Sequence, residues 1–145
     1  GAIKKLGIRA VISSGWSKFQ NTDNNNYLFH INEAPFSTLF PQMQAIIHHG
    51  GAGTTWTAAR AGKPQVIIPQ LGDQFYWAHR INSLNLGPHP FKRSQANSGR
   101  LAFAIEKALT STTIKKSCLN MHKKLVLRNG IDEAAEKIKP FCLSS

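Results

Sequence analysis

The sequence is short of acids, short of cysteine and without any long apolar run. Seven Asp+Glu stand against 18 Lys+Arg in 145 residues, a net charge of +11. Of those acids only Glu33 and Asp73 fall near anything resembling a site, so a mechanism built on paired carboxylates is excluded. The two cysteines, Cys118 and Cys142, cannot build a disulfide framework and lack metal-ligand spacing. Apolar runs such as Val66, Ile67 and Ile68 fall far short of the roughly 20 residues that span a bilayer. No charged segment followed by an apolar stretch and a cleavage site opens the chain, so no signal peptide is expected. Hydrophobic residues at 41 % and charged residues at 17 % supply a core and exclude an extended disordered chain. The expectation is one globular, cytoplasmic domain without a metal.

The basic excess is concentrated. From Lys107 to Arg128 there are six basic residues and no acid (Lys107, Lys115, Lys116, Lys123, Lys124, Arg128). Such a run is either a solvated helical face or a surface for anionic partners. No aromatic residues interleave with these lysines, so nucleic acid is not expected. An anionic membrane surface, with peripheral attachment, is the candidate partner.

Along the chain, residues 3–6 read as the end of a helix closed by Gly7. Residues 9–14, 27–31, 45–48 and 65–68 read as strands, separated by the polar run 21–26 and by Pro35 and Gly62-Lys63-Pro64. Helices are expected over 36–43, from Thr54 or Thr55 as cap to about Ala61, and from Asp73 to about Leu84. After a linker around Pro88 and Pro90, helices fill 100–109, 112–127 and 131–138. Strands alternating with helices at short spacing predict an α/β fold, a doubly wound parallel sheet with a helical C-terminal tail. The expected division is a ligand-binding unit over 1–110 and helices of the same domain over 111–145. Because such domains usually open on a strand, a first strand, and with it an upstream domain, is expected to be missing here.

The segment His48-His49-Gly50-Gly51-Ala52-Gly53-Thr54-Thr55 falls between a buried strand and a helix start. In open α/β sheets ligands bind beyond the carboxyl ends of the strands. Glycines allow backbone to approach a ligand, and the free N–H groups of a first helical turn suit a phosphate. His49 and Thr54 add donors. A P-loop is excluded, since no Lys-Ser/Thr pair follows the glycines. The dinucleotide fingerprint is opposed by Trp56, which occupies the position where glycine or alanine permits helix–strand packing. His48 is expected to point away from His49 and to hydrogen-bond in the core. Asp73-Gln74 falls in a neighbouring strand-to-helix turn. A carboxylate beside a carboxamide suits the vicinal hydroxyls of a sugar, and an N-cap role for Asp73 is the alternative. Trp56 and Trp77 read as packing residues, and the remaining histidines show no metal pattern.

These residues resemble a known family. His49 to Thr55, Arg60-Ala61-Gly62-Lys63-Pro64, Pro69 and Asp73-Gln74 are similar to the donor-binding, C-terminal half of family-1 nucleotide-sugar glycosyltransferases of the GT-B fold. Ser14-Gly15-Trp16, Leu39-Phe40-Pro41, Gly72-Asp73-Gln74-Phe75, Trp77 with Arg80, and Leu86-Gly87-Pro88 with Pro90 favour the sterol 3-beta-glucosyltransferases and glycopeptide-antibiotic enzymes. The resemblance spans about residues 6–110. It implies a Rossmann-like domain in which His49, Gly51, Ala52, Gly53 and Thr54 hold the diphosphate of a UDP-sugar. It places Asp73 and Gln74 on the hexose, and Ser14, Gly15, Trp16 and Ala34 on the nucleoside side. Thr57 stands where plant members carry a ribose-binding glutamate, and Glu33 about where they carry a base-stacking tryptophan. Phe36 is a candidate to stack instead.

The implied chemistry is an inverting transfer of a hexose, glucose foremost, to a hydroxyl of a sterol, lipid or other apolar acceptor, without a cofactor or metal. The general base belongs to an N-terminal acceptor domain, so no catalytic residue is expected in this chain, which would bind donor without turnover. In that family the last helix packs on the missing domain, so residues 131–141 are expected to expose an apolar face or to dimerise. A non-catalytic nucleotide-binding module is the alternative reading.

Overall fold

A computed structural model describes residues 1–13, 26–127 and 130–142. Helix α1 (Ala2–Leu6) ends at Gly7 and leads into strand β1 (Ala10–Ser13), which pairs in parallel with β2 (Leu28–Ile31), Ala10 opposite Leu28. Strands β3 (Ile46–His48) and β4 (Gln65–Ile67) form a second parallel pair, Ile46 opposite Gln65. Among the described residues the expected parallel sheet is therefore present as two pairs, with no ladder between β1 and β3. Parallel neighbours need a crossover, and α3 (Ala52–Arg60) supplies it between β3 and β4. The helix expected over 36–43 is divided into α2 (Phe36–Leu39) and a tighter turn, Phe40–Gln42. Pro41 explains the change, because it has no N–H to continue the α-helical bonding.

The core is built around β4, whose Gln65, Val66 and Ile67 are all buried. On one face Ile67 packs with Ala78 and Ile81 of α4 (Gln74–Ser83) and with Ile114 and Cys118 of α6 (Thr112–Val126). On the other face Val66 packs with Phe91 and with Ala104 and Ala108 of α5 (Ser98–Thr110). A strand covered by helices on both sides is the doubly wound arrangement, and it explains the unbroken apolar run at this point in the sequence. Helix α1 joins the same body through Ala2, packed with Ala102 and Ile105 of α5.

The outer edge of β4 is closed by the chain after α4, where the Gln65 N–H donates to the Leu86 carbonyl at 2.9 Å. Gly87 lies so close that a Cβ there would stand 1.9 Å from the Gln65 carbonyl oxygen. Only glycine permits that approach. The final helix, α7 (Gly130–Cys142), runs past its expected end at Ile138 and carries Pro140 inside it. Its residues 134–141 are exposed, Ile138 and Phe141 included.

Candidate functional site

The glycine turn leaves the carboxyl end of β3 and opens α3. The helix begins at Ala52 with Gly51 as its N-cap, three residues before the nearer of the expected threonine caps, and no side chain caps it. Thr55 N–H donates to the Gly51 carbonyl at 2.9 Å, the first bond of the helical ladder. The N–H groups of Ala52, Gly53 and Thr54 therefore have no intrahelical acceptor. With the dipole behind them they form a site for an anion. Thr54 is half-buried beside them, whereas Thr55 faces the core at 2 % exposure.

His49 is exposed, and its ring lies over the turn: a Cβ on Gly51 would stand 2.8 Å from His49 Nε2. His48 points the other way, as strand alternation requires. Its Nδ1 accepts the Gly50 N–H at 3.0 Å and its Nε2 lies 2.9 Å from Gln65 Oε1. Burial pushes the His48 pKa down to about 4; the bond to Gln65 opposes that, and neighbouring His49 adds to it. The ring is therefore neutral at physiological pH.

The tertiary structure brings the Asp73-Gln74 turn against the glycines. A Cβ on Gly50 would meet the Gln74 carbonyl oxygen at 3.1 Å and Ile67 Cγ2 at 2.9 Å. Asp73 is the residue before α4, but its side chain makes no capping hydrogen bond. Its carboxylate is exposed and has no partner among the described residues, so the capping alternative is not realised. The Gln74 carboxamide, expected on the sugar, is only partly free. Its Oε1 accepts the Gln70 and Leu71 N–H groups at 2.8 and 3.2 Å, closing the turn. The Nε2 hydrogens are what Gln74 can still offer.

Ala34 lines a cavity of about 400 Å³ with Ser13, Asn32, Glu33, Pro35 and Phe36, at the carboxyl ends of β1 and β2. Phe36 stacks on Phe40, ring centroids 4.7 Å apart, while also lining this cavity. Ser14, Gly15 and Trp16 lie outside the described residues. Thr57 does not face a ligand freely: its hydroxyl donates to the Gly53 carbonyl at 2.9 Å.

One sequence expectation is corrected. Trp56 is not a packing residue, being 54 % exposed. Thr55 and Ala58 face the sheet from α3, and Trp56, about 100° round the helix from Thr55, turns outward. Trp77 is half-buried and meets Tyr76 edge to face. The strut of His48 to Gln65 was only half visible in the sequence, because nothing in the local pattern marks Gln65 as its partner. Among the described residues no group of three metal-ligating side chains converges, and no helix is long and apolar enough to cross a membrane.

The domain family described as erythromycin biosynthesis protein CIII-like, C-terminal domain, matches residues 23–139. The chain belongs to this family. It is the C-terminal half of the GT-B glycosyltransferase architecture, as the sequence motifs imply. The chain is 35 % identical over 136 residues to a sterol 3-beta-glucosyltransferase of Arabidopsis thaliana, covering 92 % of this chain and 22 % of that protein. It is 45 % identical over 86 residues to the vancomycin aglycone glucosyltransferase of Amycolatopsis orientalis, covering 59 % of this chain and 21 % of the relative. The crystal structure of the calicheamicin glycosyltransferase CalG4 superposes on 97 % of this chain and 38 % of its own, with a TM-score of 0.82 at 18 % identity. The chain thus spans between about a tenth and a fifth of the length of the curated relatives it matches.

Proposed function

We propose that this chain is the donor-binding part of a UDP-hexosyltransferase whose acceptor is a sterol, lipid or other apolar alcohol. The observation that carries the reading is one juxtaposition. The uncapped N-terminus of α3, under His49, abuts a turn bearing the unpartnered Asp73 carboxylate. The first feature suits a diphosphate, and the second suits sugar hydroxyls.

In this reading the N–H groups of Ala52, Gly53 and Thr54, with His49, hold the diphosphate. They also stabilise the negative charge that gathers on UDP as the anomeric bond breaks. Asp73 accepts hydrogen bonds from the hexose, and Gln74 Nε2 donates one. Ala34 and its cavity receive the nucleoside. The acceptor hydroxyl attacks from the opposite side with inversion, its proton taken by a base in the remainder of the protein. The chain alone binds donor without turnover.

Calorimetric titration of UDP, UDP-glucose, GDP and NAD tests this directly. Uridine-selective binding is expected, weakened about tenfold or more by His49→Ala, the loss of a charge-assisted hydrogen bond. Binding of NAD without response to UDP would overturn the assignment in favour of a dinucleotide site. Uridine binding that is indifferent to His49→Ala would remove that residue from the site.

A further inference from the structure

The pairing of His48 with Gln65 lies behind the candidate site and touches no ligand position, yet its geometry is tightly determined. His48 Nδ1 accepts the Gly50 N–H at 3.0 Å. A ring nitrogen that accepts carries no proton, so Nε2 bears the hydrogen and donates to Gln65 Oε1 at 2.9 Å. The tautomer follows from its two partners.

Gln65 is itself immobilised. It is fully buried, its N–H is bonded to Leu86, and its carbonyl lies so near Gly87 that no side chain would fit there. The imidazole therefore connects the most enclosed strand of the core to the first glycine of the turn. Gly50 has φ 97°, a left-handed conformation, and is wedged between Ile67 and the Gln74 carbonyl. Its orientation decides where Gly51 stands, and so where α3 aims its free N–H groups.

We propose that neutral His48, braced by Gln65, is a positioning residue that sets the Gly50 peptide and thereby the diphosphate cradle, and that protonating it releases the turn. This rests on the donor-site reading above. Protonation at Nδ1 would set an N–H against the Gly50 N–H, two donors face to face. β4 presents the uncharged Gln65 to the ring, the first turn of α3 carries no titratable group, and α4, which Asp73 precedes, meets Gly50 through the Gln74 carbonyl. His49, next in the chain, acts on His48 in the same direction as burial. Because the folded state holds the pKa down near 4, the neutral form and its hydrogen bond are complete at neutrality. They are lost as pH falls through that value.

The test uses UDP-glucose, whose diphosphate diester keeps a constant charge over this range, with wild type, His48→Phe and His48→Asn. Asparagine can accept the N–H two residues on in an Asx turn, but it does not titrate. His48→Phe is expected to weaken binding about tenfold at neutrality, and His48→Asn by no more than about threefold. Wild type should lose additional affinity on approaching about pH 4, relative to His48→Asn, which keeps His49. Without ligand, hydrogen exchange of the Gly50 amide should quicken in His48→Phe and stay slow in His48→Asn. Full affinity in His48→Phe, equal weakening in both variants, or superimposable pH profiles of wild type and His48→Asn would overturn the proposal. If wild type binds no nucleotide, the donor reading fails instead, and Gly50 exchange unchanged in His48→Phe would then overturn the bracing role separately.

Discussion

At the scale of single residues, Gly87 shows how little freedom the core leaves. A methyl group there would occupy the space of the Gln65 carbonyl oxygen, 1.9 Å away, and backbone cannot step aside as a flexible side chain would. Gly87→Ala is expected to cost at least about 3 kcal/mol, beyond ordinary overpacking, because the strand edge must separate. Urea denaturation of the two proteins checks this, and a loss below about 1 kcal/mol would mean that the edge can yield. Through Gln65 the same substitution reaches His48 and the glycine turn. The buried Cys118 contrasts with this sensitivity. Burial pushes its thiol up to about 11, and the group rests 3.6 Å from the Leu86 carbonyl as a packing element without nucleophilic character.

At the scale of elements, the helices divide by how their N-termini are satisfied. Asn97 accepts the Arg100 N–H at 2.9 Å and caps α5, and Ser111 accepts the Ile114 N–H at 3.3 Å and caps α6. The two helices that start at the candidate site, α3 and α4, receive no side-chain cap. Asn97→Ala and Ser111→Ala should each cost about 1 kcal/mol of stability. Asp73→Asn should leave stability within about 0.5 kcal/mol, since the carboxylate caps nothing. It should weaken UDP-glucose while sparing UDP. Denaturation midpoints together with paired titrations separate these outcomes, and equal losses for both ligands would take Asp73 off the sugar. Gln74 is a mixed case, its oxygen holding the turn and its nitrogen left for a ligand.

At the scale of the whole molecule, a net charge of +11 is gathered most densely on α6. Lys115, Leu119, Lys123 and Leu127 follow one another at four-residue intervals and are all exposed. A stripe of cations and apolar side chains without acids suits an anionic membrane surface. Binding to vesicles containing anionic lipid is expected to fall as salt rises and to vanish on neutral vesicles. Reversing the charge of Lys115 and Lys123 should weaken it by about tenfold or more, with UDP titration unchanged. Sedimentation of vesicles at two ionic strengths decides the matter, and salt-independent binding would point to the apolar residues alone. Ile138 and Phe141 of α7 are exposed as well.

The order of strands and helices was legible in the sequence, because side-chain period and Gly/Pro punctuation act within a few residues of chain. Each of the four expected strands has its counterpart in β1 to β4. The glycine turn was legible for the same reason: three glycines in four residues, following a strand, have few other uses. Helix ends were less so, since Gly51 rather than a threonine begins α3 and Pro140 fails to stop α7. What only the tertiary structure decided lies between segments far apart in the chain. His48 finds Gln65 across 17 residues, Gly50 is set against Gln74, and Gly87 closes on Gln65. Trp56, ambiguous in its own helix, is turned outward by the faces that α3 must bury. Local chemistry selects the elements, but the crossover between parallel strands chooses which of their ends meet, and no local signal encodes a contact made only when the sheet is packed.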